Sequence, residues 1–125
     1  MRLLLDSHTG YWWMIGSPRL STPARALIVD KGHAVMVSAA SIYELEFKAR
    51  RRRIELPPQE LRAALRRNAV EDLAITLDHA EYAAHLNWAH RDPWDRILAA
   101  QARLENCALV SLDTVFDEIG LERLW

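Results

Sequence analysis

Four acidic residues spread along the chain, Asp6, Glu44, Asp95 and Asp113, are the side chains whose type and placement can do chemistry. Asp6 closes the apolar run Leu3 to Leu5, and Asp113 follows the apolar run Cys107 to Val110 after Ser111 and Leu112. Glu44 falls early in a helical segment behind the apolar run Ala34 to Val37, and Asp95 falls in the first turn of a helix opened by Asp92-Pro93. If the apolar runs are strands of one parallel sheet, all four acids can reach its carboxyl edge, where ligands of such sheets bind. Carboxylates brought close together repel one another, and burial raises their pKa values, so the set costs stability without a cation. Oxygen donors with no Cys or His pattern beside them favour a hard divalent ion, Mg²⁺ or Mn²⁺, over zinc. An ion held in this way suits phosphodiester hydrolysis, so the set reads as a nuclease site.

Each acid also has a plainer reading. Asp6 and Asp113 can cap the helices that follow them, and Asp92 fits a cap with Asp95 at the third helical position, favoured by the helix dipole. Glu44 alone reads as a solvated helix residue. The functional argument therefore rests on the set, and Asp92 is taken as a structural cap.

The elements that must bring the acids together follow from hydrophobic pattern and punctuation. Leu3 to Leu5, Ala34 to Val37 and Cys107 to Val110 are short continuous apolar runs, as strands buried on both faces are, and Leu73 to Thr76 reads as a further short strand. Helices are expected over Ser7 to Ile15, ended by Gly16, Ser17 and Pro18, and from Pro23 to Asp30. Ser38 can cap a helix through Ser41, Glu44 and Lys48 into the arginine run, and Pro57-Pro58 opens another carrying Leu61, Ala64 and Leu65. Further helices are expected over Asp78 to Leu86 and from Asp92-Pro93 to about Glu105, then a short helix to Gly120 and an edge strand near Arg123 to Trp125. Strands alternating with helices predict an α/β fold in which helices cover both faces of a short central parallel sheet, within one domain covering residues 1–125.

Composition excludes several classes. The 125 residues are 50% hydrophobic with a formal net charge of -1, so no global charge points to nucleic acid. RNA, if bound, needs a local patch, and Arg50 to Arg53 offer one. Arg51 and Arg52, with Arg91 or Arg96, are the candidates for gripping phosphates. The lone Cys107 permits neither a disulfide framework nor a cysteine zinc site, which fits a reducing cytoplasm. No apolar stretch approaches a membrane span, the first residues lack the marks of a signal peptide, and no glycine-rich phosphate loop occurs. The histidines at 8, 33, 79, 85 and 90 lack the spacing of a metal pair on one helical face. Tyr11, Trp12, Trp13 and Met14 are too many large apolar groups for one exposed helix, so they divide between core and partner surface.

Four blocks in order, LLLD from Leu3 to Asp6, VSAASIYELEFKAR from Val37 to Arg50, HRDPWDRILAAQA from His90 to Ala102 and LVSLD from Leu109 to Asp113, resemble the PIN domain, specifically VapC-type toxins of toxin–antitoxin pairs. The resemblance spans nearly the whole chain. It implies a three-layer α/β/α fold, endoribonuclease activity dependent on Mg²⁺ or Mn²⁺, and Asp6, Glu44, Asp95 and Asp113 as both catalytic residues and metal ligands. It also implies RNA as substrate, a cognate antitoxin and a homodimer, with no membrane. Ser7 stands where threonine is usual, and Leu112 where a small residue is commoner, but both sites keep a hydroxyl nearby. Two other readings stay open: a PIN-fold RNA-processing nuclease without an antitoxin, and a non-catalytic metal-binding interaction module.

Overall fold

Consecutive residues of a strand point to opposite faces of its sheet, and the central strands use this to build two separate cores. In the structure, a computed structural model that describes residues 1–55 and 61–125, Leu3 and Leu5 face one core while Leu4 faces the other. Val35 and Val37 divide from Met36 in the same way, as Ala108 and Val110 do from Leu109. The strands are β1 (Arg2–Leu5), β2 (Ala34–Ser38), β3 (Val70–Leu73), β4 (Ala108–Val110) and β5 (Arg123–Leu124), all parallel in the order β3-β2-β1-β4-β5. The first core is covered by α1 (Ser7–Ile15), α2 (Thr22–Val29), α3 (Ala39–Arg50) and α4 (Leu61–Arg67). The second lies under α6 (Pro93–Leu104) and a 3-10 helix, Thr114–Ile119, with α5 (Leu77–His85) packed on α6. The result is the expected three layers. Among the described residues, no helix is long and apolar enough to cross a membrane.

The caps fall where the sequence places them. Asp6, Ser38, Asp92 and Asp113 each accept a backbone N–H from the helix they precede, and Gly16 and Gly120 end their helices at φ 65° and 70°, a conformation that favours glycine. Tyr11, Trp12, Trp13 and Met14 are half-buried against the first core. The third strand departs from expectation: it spans Val70–Leu73 and not Leu73 to Thr76. It is an edge strand whose Glu71 and Asp72 are exposed, so the continuous apolar run that marks a central strand is not needed there. Asp72 instead receives Arg62 and Arg66 of α4, each at 2.6 Å. The Pro57-Pro58 helix start lies outside the described residues.

Arg96 also differs from its expected role. Its guanidinium donates to four backbone carbonyls, Ala83 (3.1 Å), Leu86 (2.7 Å), Trp88 (2.8 Å) and His90 (2.9 Å). Four of its five N–H donors are engaged, so Arg96 ties the loop after α5 to α6 and has little left to offer RNA phosphates. Arg96→Ala strands these carbonyls and is expected to cost about 2–4 kcal/mol of stability. Arg96→Lys is expected to restore little of it, since one ammonium cannot span four acceptors. Urea unfolding of the three proteins checks this, and full rescue by lysine would show that charge alone matters.

Candidate functional site

The chain runs β1, β2, β3 toward one edge of the sheet and then returns to β4 and β5 on the other side of β1. The crevice between β1 and β4 is thus the switch point at which open parallel sheets bind ligands. Leu5 and Val110 are register partners there, so the residues that follow them emerge side by side. Asp6 extends the ladder by donating its N–H to the Val110 carbonyl, and Thr9 donates its hydroxyl to the same oxygen at 2.9 Å. Asp6, Glu44, Asp95 and Asp113 line one cleft of about 170 Å³, together with Ser7, His8, Asp92, Leu98 and Phe116. All four expected acids therefore share one cleft. A larger cavity of about 570 Å³ lies against α5 and the last turn of α6, the end of that helix opposite Asp95.

Hydroxyls and amides fix where these carboxylates point. Asp6 is 8% exposed; its Oδ1 accepts the Thr9 N–H at 2.8 Å, and its Oδ2 accepts the hydroxyl of the fully buried Ser111. The same Ser111 oxygen accepts the Asp113 N–H at 3.0 Å, so one side chain aligns acids from opposite ends of the sequence. Ser7 donates to Glu44 Oε1 at 2.6 Å, and Lys48 meets Glu44 Oε2 at 3.0 Å. Asp113 Oδ1 accepts the Val115 N–H and Asp92 Oδ1 the Trp94 N–H, as capping aspartates do. Asp92 is therefore both the expected cap and part of the cleft wall.

The acids differ in their electrostatics. Burial pushes the Glu44 carboxyl up, but hydrogen bonds from Ser7 and Lys48 and the charge of Lys48 hold it below its ordinary value. For Asp95 burial acts upward, reinforced by the charges of Asp92 and Asp113, and outweighs the hydrogen bond from His90. An ionised Asp95 is thus disfavoured, first by burial and then by Asp92 and Asp113, which is the condition a cation relieves. The donor chemistry is that of a hard divalent ion, with Asp95 Oδ1 and Asp113 Oδ2 free of hydrogen bonds among the described residues. The four acids are not drawn up to coordinating distance of one another: among the described residues, only His90, Asp92 and Asp95 bring donor atoms within 4.8 Å. Asp6, Glu44, Asp95 and Asp113 can supply oxygens to such an ion.

Two features were not legible from spacing. His90 Nε2 lies 2.7 Å from Asp95 Oδ2, a contact made by the loop before α6 and by no helical periodicity. The arginine run, conversely, lies farther from the acids than its sequence suggests. Helix α3 ends at Arg50, and the exposed Arg51 and Arg52 follow in a turn. At 1.5 Å per residue even Arg50, the last helical residue, stands roughly 9 Å along the axis from Glu44. Arg51 lies over the Phe47 ring at 4.6 Å.

The family model for the PIN domain matches residues 3–121 of this chain. Ribonuclease VapC22 of Mycobacterium tuberculosis is 35% identical over 114 residues, covering 89% of this chain and 86% of that protein. Among solved structures, VapBC2 from Rickettsia felis bound to a DNA fragment from their promoter aligns with a TM-score of 0.74 at 15% identity, over 99% of this chain and 98% of that one. Mycobacterium tuberculosis VapC20, described as a sarcin-ricin loop cleaving toxin, aligns with a TM-score of 0.67 at 20% identity, over 95% of each chain. At these identities the structural likeness is one of fold.

Ser111→Ala removes the hydroxyl that aligns Asp6 with Asp113. It is expected to lower Mn²⁺ affinity by about tenfold, the lower end of the range for losing a group that orients a metal ligand, and to cost about 1–3 kcal/mol of stability, since a buried carboxylate oxygen loses its donor. Titration calorimetry and thermal unfolding separate the two effects, and an unchanged affinity would remove Ser111 from the site.

Proposed function

The chain belongs to the PIN-domain family, and from that premise we propose that it is a divalent-metal-dependent endoribonuclease, the toxin of a VapBC-type toxin–antitoxin pair. The observation that carries this reading is the convergence of four carboxylates, from the ends of β1 and β4 and from α3 and α6, on one cleft at the sheet's switch point. Asp6, Glu44, Asp95 and Asp113 would hold Mg²⁺ or Mn²⁺. Such an ion, when bound, supplies Lewis acidity and charge neutralisation to phosphodiester hydrolysis.

The chain's own residues do the rest. Ser111 and the Thr9 N–H hold both Asp6 oxygens, so this carboxylate enters the cleft with little freedom. Ser7 and Lys48 keep Glu44 ionised and oriented. His8 stacks on Trp12 with ring centroids 5.5 Å apart and borders the cleft, where its ring can meet an incoming nucleotide. Arg51 and Arg52, at the far end of α3, and the exposed Arg91 beside Asp92 remain available for RNA phosphates.

An antitoxin partner is supported by likeness to structures described as toxin–antitoxin complexes, including one from Klebsiella pneumoniae. A second copy of the chain suits the exposed Tyr43 and Phe47, whose rings stack 5.8 Å apart on α3. A reducing cytoplasm agrees with the free, buried Cys107.

Antitoxin-free protein, incubated with a mixed RNA pool, is expected to cleave with Mg²⁺ or Mn²⁺ and to stop in chelator. Asp6→Asn is expected to lower the rate at least a hundredfold while keeping the fold. Cleavage that survives both chelator and Asp6→Asn would overturn the reading.

A further inference from the structure

His90, Asp92 and Asp95 each offer a ligand atom, one nitrogen and two oxygens, within 4.8 Å of one another. An octahedral ion with bonds of about 2.1 Å spaces its neighbouring donors about 3 Å apart and its opposite donors about 4.2 Å apart. The His90–Asp95 separation of 2.7 Å is already close to a neighbouring pair, and the third donor, from Asp92, lies within 4.8 Å of both.

His90 is held for this from two sides. Its carbonyl is gripped by Arg96 at 2.9 Å, and its ring lies against Trp88 with centroids 4.8 Å apart. Trp88 is itself fixed, its ring packed near Phe116 and its Nε1–H donating to Glu118 at 2.9 Å. The Arg96 network that keeps this arginine from RNA thus positions an imidazole at the lip of the acidic cleft. Asp92 and Asp95 line that same cleft, so a donor triangle containing them is continuous with the four acids.

We propose that His90, with Asp92 and Asp95, forms a nitrogen-containing cation position at the edge of the four-acid cleft, and that this nitrogen biases the protein toward Mn²⁺ over Mg²⁺. Mg²⁺ takes oxygen almost exclusively, whereas imidazole is a good ligand for later divalent ions, so one nitrogen separates the two. Asp92 then has two tasks. Its Oδ1 caps α6 through the Trp94 N–H, and Oδ2 is the oxygen left for an ion. The inference rests on the ion-binding reading of the acids and adds to it the source of metal preference.

The test is electron spin echo spectroscopy of the full chain loaded with Mn²⁺, which detects a coordinated imidazole through its ¹⁴N modulation. Wild type and His8→Gln are expected to show the modulation, and His90→Gln is expected to lose it. Competition between the two ions is expected to show the Mn²⁺ preference over Mg²⁺ falling about tenfold in His90→Gln. Asp92→Asn is expected to keep the nitrogen signal while weakening Mn²⁺ binding. Mn²⁺ bound by wild type without ¹⁴N modulation would overturn the proposal and leave the four-acid site standing, as would modulation lost in His8→Gln. Failure of wild type to bind Mn²⁺ at all would overturn both. Because wild type and His8→Gln decide the matter, the test does not depend on His90→Gln folding.

Discussion

Asp6 and Asp113 leave adjacent parallel strands at a register that sets Leu5 beside Val110, and most of what is specific to this protein follows from having to place them there. Two aspartates at neighbouring strand ends, joined by Glu44 from α3 and Asp95 from α6, concentrate negative charge in a small cleft. The upward push on Asp95 from burial, Asp92 and Asp113 records the cost. The fold tolerates it because the carboxylates have local ties: N–H groups at helix starts for Asp6, Asp92 and Asp113, hydroxyls for Asp6 and Glu44, the His90 imidazole for Asp95, and an ion pair with Lys48 for Glu44. The N–H and hydroxyl ties orient a charge without cancelling it; Lys48 offsets Glu44, and the charge of the aspartates is left to a cation.

The double use of these acids as caps and as cleft wall has an energetic logic. Capping recovers about 1 kcal/mol at a helix start, so the same side chain that brings repulsion into the cleft also stabilises the element that carries it. The two apolar cores supply the rest of the support. Leu4, Met36 and Leu109 lie against α6 on one face, and Leu3, Leu5, Val37 and Val110 against α1 to α4 on the other, so neither β1 nor β4 can shift along its neighbour without exchanging the faces of its leucines and valines. Register, and with it the spacing of Asp6 from Asp113, is therefore set by burial.

Much of this was legible in the sequence because the central strands are short uninterrupted apolar runs, a pattern that only burial on both faces produces, and because Asp6, Ser38, Asp92 and Gly120 mark helix boundaries by chemistry that survives folding. The edge strand was misplaced by three residues because Glu71 and Asp72 look outward, and periodicity is silent where one side of the strand has no neighbour. Arg96 reads as a phosphate-binding arginine beside Asp92 and Asp95. Only the path of the loop through Leu86, Trp88 and His90 shows that its donors are occupied. The approach of His90 to Asp95 depends on that same path, which has no repeat to betray it. Local pattern thus revealed the scaffold and the acids, while contacts made by irregular backbone did not appear until the chain was folded.

The direct measure of the central claim, that acids are gathered at the switch point at a cost which a divalent ion relieves, is thermal unfolding of wild type and Asp95→Asn, each metal-free and with Mn²⁺. The account predicts that metal-free Asp95→Asn is at least as stable as wild type, since a carboxylate disfavoured by burial and by Asp92 and Asp113 has been made neutral. It predicts also that Mn²⁺ at a hundredfold excess over its Kd stabilises wild type by about 2.7 kcal/mol and the variant by much less. A metal-free variant clearly less stable than wild type, with equal gains from Mn²⁺ in both proteins, would contradict it.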